Sequence, residues 1–229
     1  MRRQIDTESI VEVASALGEL NEKTVFVGGA VVSIYVDDPA AEEVRPTKDI
    51  DIALEIVMLG QLEILRQELA KKGFFPDPEE NVMCRFVYMG ILVDVMSTKE
   101  IGWAPANKWF QEGFDHVEKI ILDKLTSINV LPLAYFLATK FDAYHSRGTD
   151  PRTSHDLEDI IYLLDNRKDL ASSILSASDN VLVYLQSEFI SLLTPEMEEA
   201  VLSHMNPFSR KERHPLLVTK LKEIVNQIE

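Results

Sequence analysis

A chain of 229 residues can form one large domain or two small ones around a proper core, and 46% hydrophobic with 27% charged residues is ordinary globular composition. The net charge of −15 argues against broad, nonspecific nucleic-acid binding, which needs Lys and Arg on phosphates, but leaves room for a phosphate substrate met through Mg²⁺. The one cysteine, Cys84, excludes an internal disulfide and a cysteine-rich metal site, and no apolar run reaches the length of a membrane span, so no membrane partner is expected and a cytoplasmic location is the default.

The opening stretch MRRQIDTESIVEVASALGEL lacks an apolar signal core, and the acids Asp6, Glu8 and Glu12 follow its arginines. Ile10, Val13, Ala14 and Leu17 recur at helical spacing and predict an amphipathic helix over 7–22, weakened towards its end by Gly18 and Asn21. A short strand over 24–27 runs into Gly28-Gly29, and a helix is expected over 30–35. Residues 37–47, with Pro39, Pro46 and the acids Asp37, Asp38, Glu42 and Glu43, read as a loop. A strand over 48–56 follows, then a helix over 59–72 with Leu62, Leu65 and Leu69 on one face and Gly73 closing it. In VMCRFVYMGILVDVMST two apolar runs flank Met89-Gly90, the pattern of a β-hairpin. The mixed segment 99–124 holds one further strand at 118–122. Beyond Asn129 the periodicity turns helical, with helices expected at 131–146, 154–166, 170–175, 180–193, 195–203 and 215–228. The organisation is therefore α/β first and helical second, changing near residue 130.

Three carboxylates stand out. In RPTKDIDIAL, Asp49 and Asp51 occupy alternate strand positions, so they share one face while Ile50 and Ile52 share the other. Two anions side by side repel unless a cation lies between them, and a pair of metal ions about 4 Å apart is a common solution in phosphoryl or nucleotidyl transfer. Such a site calls for a third acid, and Asp94, the lone charge in ILVDVMS, is the candidate. Taken singly, each feature has a plainer reading: a solvated strand face, a strand-edge charge, a tight strand-to-helix turn. Gly28 and Gly29 lie between a strand and a helix, where backbone N–H groups without Cβ atoms nearby can approach phosphate oxygens. Neither G-x-x-x-x-G-K-[ST] nor G-x-G-x-x-G is present.

In the helical half, Lys140, Tyr144 and Arg147 fall at i, i+4 and i+7 and share a face that can clamp phosphates and stack a base, or can simply be solvated and paired with nearby acids. Thr153-Ser154-His155-Asp156 resembles a variant capping box with Thr153 at the cap, which makes Asp156 a cap partner, and Asp159 is placed to pair with Arg147 or Lys140. His145 and His155 have no metal-like spacing with Cys84, and Trp103 and Trp109 read as packing residues.

The glycine pair, the R-x-T-x-D-x-D strand and the later strand aspartate resemble the DNA polymerase β-like nucleotidyltransferase superfamily. Within it, VGGAVVSIY…RPTKDIDIAL looks like the AbiEii/AbiGii-type branch, whose members include toxins of toxin–antitoxin and phage-defence systems; the region is also similar, more distantly, to tRNA nucleotidyltransferases. The likeness covers residues 25–97 and extends to LATKFDAYHSRGTDPRTSHDLEDI. It departs from the usual pattern in Ala30, where many members place Ser near the turn, and in the long acidic loop, whose charge repels RNA.

The resemblance implies an α+β fold, with a nucleotidyltransferase-type mixed sheet and flanking helices over 1–129 and a helical domain over 130–229 that closes the nucleotide cleft. It implies an Mg²⁺-dependent enzyme, with Mn²⁺ as the alternative ion, that moves a nucleoside monophosphate from an NTP such as ATP to a hydroxyl of an RNA end (tRNA among them), a protein or a small molecule. Gly28 and Gly29 would line the triphosphate. Asp49 and Asp51 would ligate both metals, and Asp94 would be a ligand or the general base. Lys140 would meet the triphosphate, with Tyr144 and Arg147 on the same face and Asp156 in support. A cognate antitoxin protein is the implied partner. Two other readings stay open: a catalytically weak nucleotide-binding or regulatory module, and an antitoxin-type protein-binding partner.

Overall fold

The alternation in DIDIAL is realised as a strand in which Ile50 and Ile52 are fully buried while Asp49 and Asp51 stay half-buried on the opposite face. This strand belongs to a computed structural model that describes residues 3, 5–79 and 82–227. The chain forms two compact units, Met1–Val31 with Arg45–Pro132, and Val32–Val44 with Leu133–Glu229. The first is α/β and the second helical.

In the first unit the described residues form a seven-stranded mixed sheet of order β3-β4-β5-β2-β1-β7-β6. The strands are β1 (Thr24–Val27), β2 (Asp49–Leu54), β3 (Phe75–Pro76), β4 (Arg85–Tyr88), β5 (Ile91–Ser97), β6 (Glu118–Ile121) and β7 (Ser127–Val130). β2 runs antiparallel to β1 and parallel to β5. Helices α1 (Thr7–Leu17), α2 (Leu59–Lys71) and the short α3 (Phe110–Phe114) complete the unit. Leu62, Leu65 and Leu69 of α2 are buried, as their spacing requires.

The Asp6 carboxylate caps α1 by accepting from the Ser9 N–H at 2.8 Å. The helix stops at Gly18, whose φ of +55° breaks it, and the chain continues to Lys23 as a 3-10 turn rather than as helix to residue 22. The hairpin β4–β5 turns on Met89 (φ 48°) and Gly90 (φ 86°). Two positive φ values at the turn centre match the twist of the flanking strands. The expected helix after the glycine pair is a 3-10 segment, Gly29–Tyr35, which carries the chain from the first unit into the second.

Two short strands escaped the sequence pattern: β3, and β7, which pairs parallel to β1 immediately before the helix expected from residue 131. Helix α4 (Leu133–Arg147) starts only after Pro132. The second unit continues with α5 (His155–Asn166), α6 (Leu170–Leu175), α7 (Asp179–Leu192), α8 (Pro195–Ser203) and α9 (Arg210–Val225). Ser154, not Thr153, caps α5 by accepting from the Leu157 N–H at 3.3 Å. Helix α9 begins at Arg210 with Pro215 inside it, and its expected end at Ile228 lies outside the described residues.

Phe136, Phe141, Ile160, Leu164, Leu185 and Phe189 build the core of this unit. The segment 32–44 is tied to it by Arg167 donating to the Tyr35 carbonyl at 3.1 Å and Arg213 donating to Asp38, also at 3.1 Å. Among the described residues no helix is long and apolar enough to cross a membrane.

Candidate active site

Sheet register brings the three expected acids onto neighbouring strands. In the parallel pair β2–β5, Asp51 lies opposite Asp94, and in the antiparallel pair β1–β2, Val27 lies opposite Asp51. Adjacent strands are about 4.8 Å apart, so Asp51 and Asp94 are side by side, with Asp49 two residues back on the same face. The backbone leaving β1 at Gly28 passes directly over Asp51.

The glycine pair makes room for this acidic strand. Gly28 has φ +71°, and a Cβ placed on it would fall 1.8 Å from Oδ2 and 2.6 Å from Cγ of Asp51. Only glycine accepts both the backbone conformation and the carboxylate. At Gly29 a Cβ would meet Nη2 of Arg45 at 3.2 Å and Oγ1 of Thr47 at 3.3 Å. The two glycines thus pack against the R-x-T-x-D-x-D segment itself. Within that segment the Thr47 hydroxyl donates to Oδ1 of Asp49 at 3.3 Å.

Sequence reasoning missed Arg85. It lies opposite Asp94 in the β4–β5 hairpin. Its Nε donates to Asp94 Oδ1 at 2.7 Å, and its Nη2 donates to Asp94 Oδ2 at 2.7 Å and to Asp49 Oδ2 at 2.8 Å. The guanidinium therefore grips Asp94 with both arms and reaches across β5 to Asp49. The side chains of Arg85 and Asp94 are largely shielded, at 15% and 13% exposure, so little water screens the contact. The preceding thiol, Cys84, is pushed up by burial and then by the charge of Asp94.

Carboxylate oxygens suit a hard cation such as Mg²⁺. Among the described residues no group of three or more His, Cys, Asp or Glu side chains stands arranged as a ready metal cage. The positive charge beside Asp49 and Asp94 comes from Arg85, whose Nη2 donates to both carboxylates. The acids thus fit such an ion in donor type and in shared face, and Arg85 occupies the oxygens that an ion would use.

The remaining expected site residues lie in the second unit. Lys140 is buried, donates to Oδ2 of Asp159 at 2.7 Å, and lies 3.9 Å from Asp156. Arg147 donates to Asp156 at 2.5 Å. Lys140 and Arg147 on α4 are thus brought together with Asp156 and Asp159 on α5 in one ion-pair network. Tyr144 instead lines a cavity of about 230 Å³ with Phe141, His145 and Glu188, and burial pushes its phenol up, with Glu188 and Asp150 adding to the shift. His145 Nε2 lies 2.9 Å from the Glu188 carboxylate, while His155 is largely exposed beside Glu158. Trp103 packs on Phe86 with ring centroids 5.7 Å apart, and Lys108 lies over the ring of Trp109 at 5.6 Å.

No protein-family model and no curated protein matches the chain. A solved structure does: the crystal structure of an antigenic nucleotidyltransferase-like protein from Paracoccidioides brasiliensis is similar, with a TM-score of 0.52 and 16% identity over 88% of this chain and 95% of that one. At that identity the likeness concerns the fold, and the chain has a nucleotidyltransferase-like fold.

Proposed function

We propose that this chain is a metal-dependent nucleotidyltransferase that moves a nucleoside monophosphate from an NTP to a hydroxyl acceptor. One observation carries the reading: Asp49, Asp51 and Asp94 share one face of adjacent strands, beside a glycine turn shaped around Asp51. The nucleotidyltransferase-like fold supports it.

In this reading Asp49 and Asp51 hold Mg²⁺, or Mn²⁺ in its place, and Asp94 shares the ion or accepts the proton of the attacking hydroxyl. The ion, when bound, lowers the pKa of that hydroxyl and offsets charge on the departing pyrophosphate. Gly28 and Gly29, at the start of the 3-10 segment Gly29–Tyr35, would line the triphosphate with backbone N–H groups. Lys140 and Arg147 enter through their shared helix face and the family resemblance, Tyr144 through that face, and Asp156 through the resemblance. The acceptor is an RNA end, a protein or a small molecule, and the net charge of −15 works against a long RNA. A place in the AbiEii/AbiGii-type branch, with a toxin or phage-defence role and a cognate antitoxin, rests on the match of VGGAVVSIY…RPTKDIDIAL.

Incubation with each labelled NTP, Mg²⁺, total RNA and lysate tests the reading. Pyrophosphate release and a labelled acceptor are expected for the wild type and neither for Asp49→Asn. A second reading, a nucleotide-binding module with little turnover, draws on the Arg85 guanidinium across Asp49 and Asp94. Nucleotide binding with no pyrophosphate under any NTP would favour it.

A further inference from the structure

Arg85 uses the oxygens that a cation at this site would need. Three of its hydrogen bonds, all at 2.7–2.8 Å, end on Asp49 Oδ2 and on both oxygens of Asp94. Mg²⁺ needs carboxylate oxygens at about 2.0–2.1 Å in near-octahedral array, and a guanidinium seated in the same place cannot coexist with that shell. The arginine is anchored on β4 one strand beyond β5, so once displaced it remains tethered next to the site.

We propose, resting on the reading above, that Arg85 is a resident counter-ion that a divalent cation must displace, and that the released guanidinium turns to the phosphates of the incoming nucleotide. The site then has two charge states. Without ligand, Arg85 quiets the repulsion between Asp49 and Asp94. With ligand, the metal takes the carboxylates, and Arg85 exchanges them for phosphate oxygens, which its planar fork suits equally well. The metal alone binds weakly because it must break a bidentate charge-assisted pair. Metal and nucleotide together bind cooperatively, because the nucleotide supplies the displaced arginine with a new partner. Arg85 contacts the nucleotide once displaced in this scheme, and it sets the metal concentration at which the site assembles.

The test is Mn²⁺ binding by electron paramagnetic resonance, with and without a nonhydrolysable NTP, on wild type, Arg85→Gln, Arg85→Lys and Asp49→Asn. Tryptophan fluorescence checks folding of the first unit, which holds both tryptophans. Without nucleotide, Arg85→Gln should bind Mn²⁺ about tenfold more tightly or better, the scale of one charge-assisted hydrogen bond no longer to be broken. Arg85→Lys, which keeps the charge but not the fork, should fall between. Adding the NTP should tighten Mn²⁺ binding more in wild type than in Arg85→Gln, and by reciprocity Mn²⁺ should tighten the NTP to the same degree. Equal Mn²⁺ affinity in wild type and Arg85→Gln, with Asp49→Asn weaker, would overturn the counter-ion role and leave the metal site standing. Weaker binding in Arg85→Gln would overturn it too, by making Arg85 a support of the site. No Mn²⁺ binding in any variant would bring down both this proposal and the metal-dependent reading beneath it.

Discussion

Replacing Gly28 by alanine places a methyl carbon 1.8 Å from Oδ2, 2.6 Å from Cγ and 2.8 Å from Cβ of Asp51. Rotating the Asp51 side chain removes the first two contacts. It does not remove the third, because Cβ is fixed by the backbone of β2. The end of β1 must then move away from β2, where Val27 pairs with Asp51. Such overpacking costs about 1–3 kcal/mol. The φ of +71° adds about 1–2 kcal/mol for any L side chain. Gly28→Ala should therefore lose roughly 2–5 kcal/mol.

Urea unfolding followed by tryptophan fluorescence reads this directly, since Trp103 and Trp109 both belong to the first unit. The steric and conformational shares separate in a double-mutant cycle with Asp51→Gly, which removes all three clashing atoms and leaves φ unchanged. The cycle should return about 1–3 kcal/mol of favourable coupling. Gly29→Ala is the internal control: its methyl would meet Arg45 Nη2 at 3.2 Å, Thr47 Oγ1 at 3.3 Å and Thr47 Cβ at an ordinary 3.5 Å, and should cost less than about 1 kcal/mol. A Gly28→Ala loss below about 1 kcal/mol, or a cycle without coupling, would refute the claim that this glycine exists to admit Asp51.

Asp49→Asn and Asp51→Asn should each abolish nucleotide transfer; wild-type turnover in either would remove the metal site. Asp49→Asn should also lower stability by about 1–2 kcal/mol, because the charge-assisted bond from Arg85 weakens, and an unchanged urea midpoint would contradict the bridging role of Arg85. Lys140→Ala breaks a shielded ion pair with Asp159 and should cost the helical unit about 3–5 kcal/mol by far-UV circular dichroism, whereas an unchanged midpoint with lost NTP affinity would make the lysine a ligand contact instead. Burial and Asp94 hold Cys84 above its ordinary value, so less thiolate is present at any pH below that value. Alkylation at pH 8 should be slower than for a free cysteine and faster in Asp94→Asn, and a wild-type rate matching free cysteine would refute the assigned environment.

What was legible in the chain follows the range of the interactions involved. Strand β2 showed itself through the Ile–Asp alternation and the hairpin through Met89-Gly90, because both patterns are local. Strand β7 did not: SINVLPL is a short run before a helix, and the four-residue strand at its start is set by pairing with β1, more than a hundred positions away. Lys140 was seen as one of a cationic helix face. Asp159 on the next helix was placed to pair with it and does so at 2.7 Å, but only the packing of α4 on α5 buries Lys140 while Arg147, on the same face, stays exposed. The juxtaposition of Asp51 with Asp94 likewise depends on a parallel crossover through α2, which periodicity cannot register.

Arg85 is a different case, because its position could have been counted. Once Met89-Gly90 is a two-residue turn, Tyr88 must face Ile91, Val87 face Leu92, Phe86 face Val93, and Arg85 face Asp94. A cation directly opposite the lone acid of a buried strand was thus written into CRFVYMGILVD. The same counting explains why the acid is tolerated there. A buried carboxylate needs a partner, and the hairpin supplies one from its other arm. The glycine pair completes the logic from the other side of β2, where Gly28 gives up its side chain so that Asp51 can keep its own. Strands β4, β5 and β2 and the turn that follows β1 therefore give up ordinary packing to hold three acids on one face. That arrangement is costly for a sheet whose only task is to be a core, and it is the arrangement on which the proposed metal and nucleotide site rests.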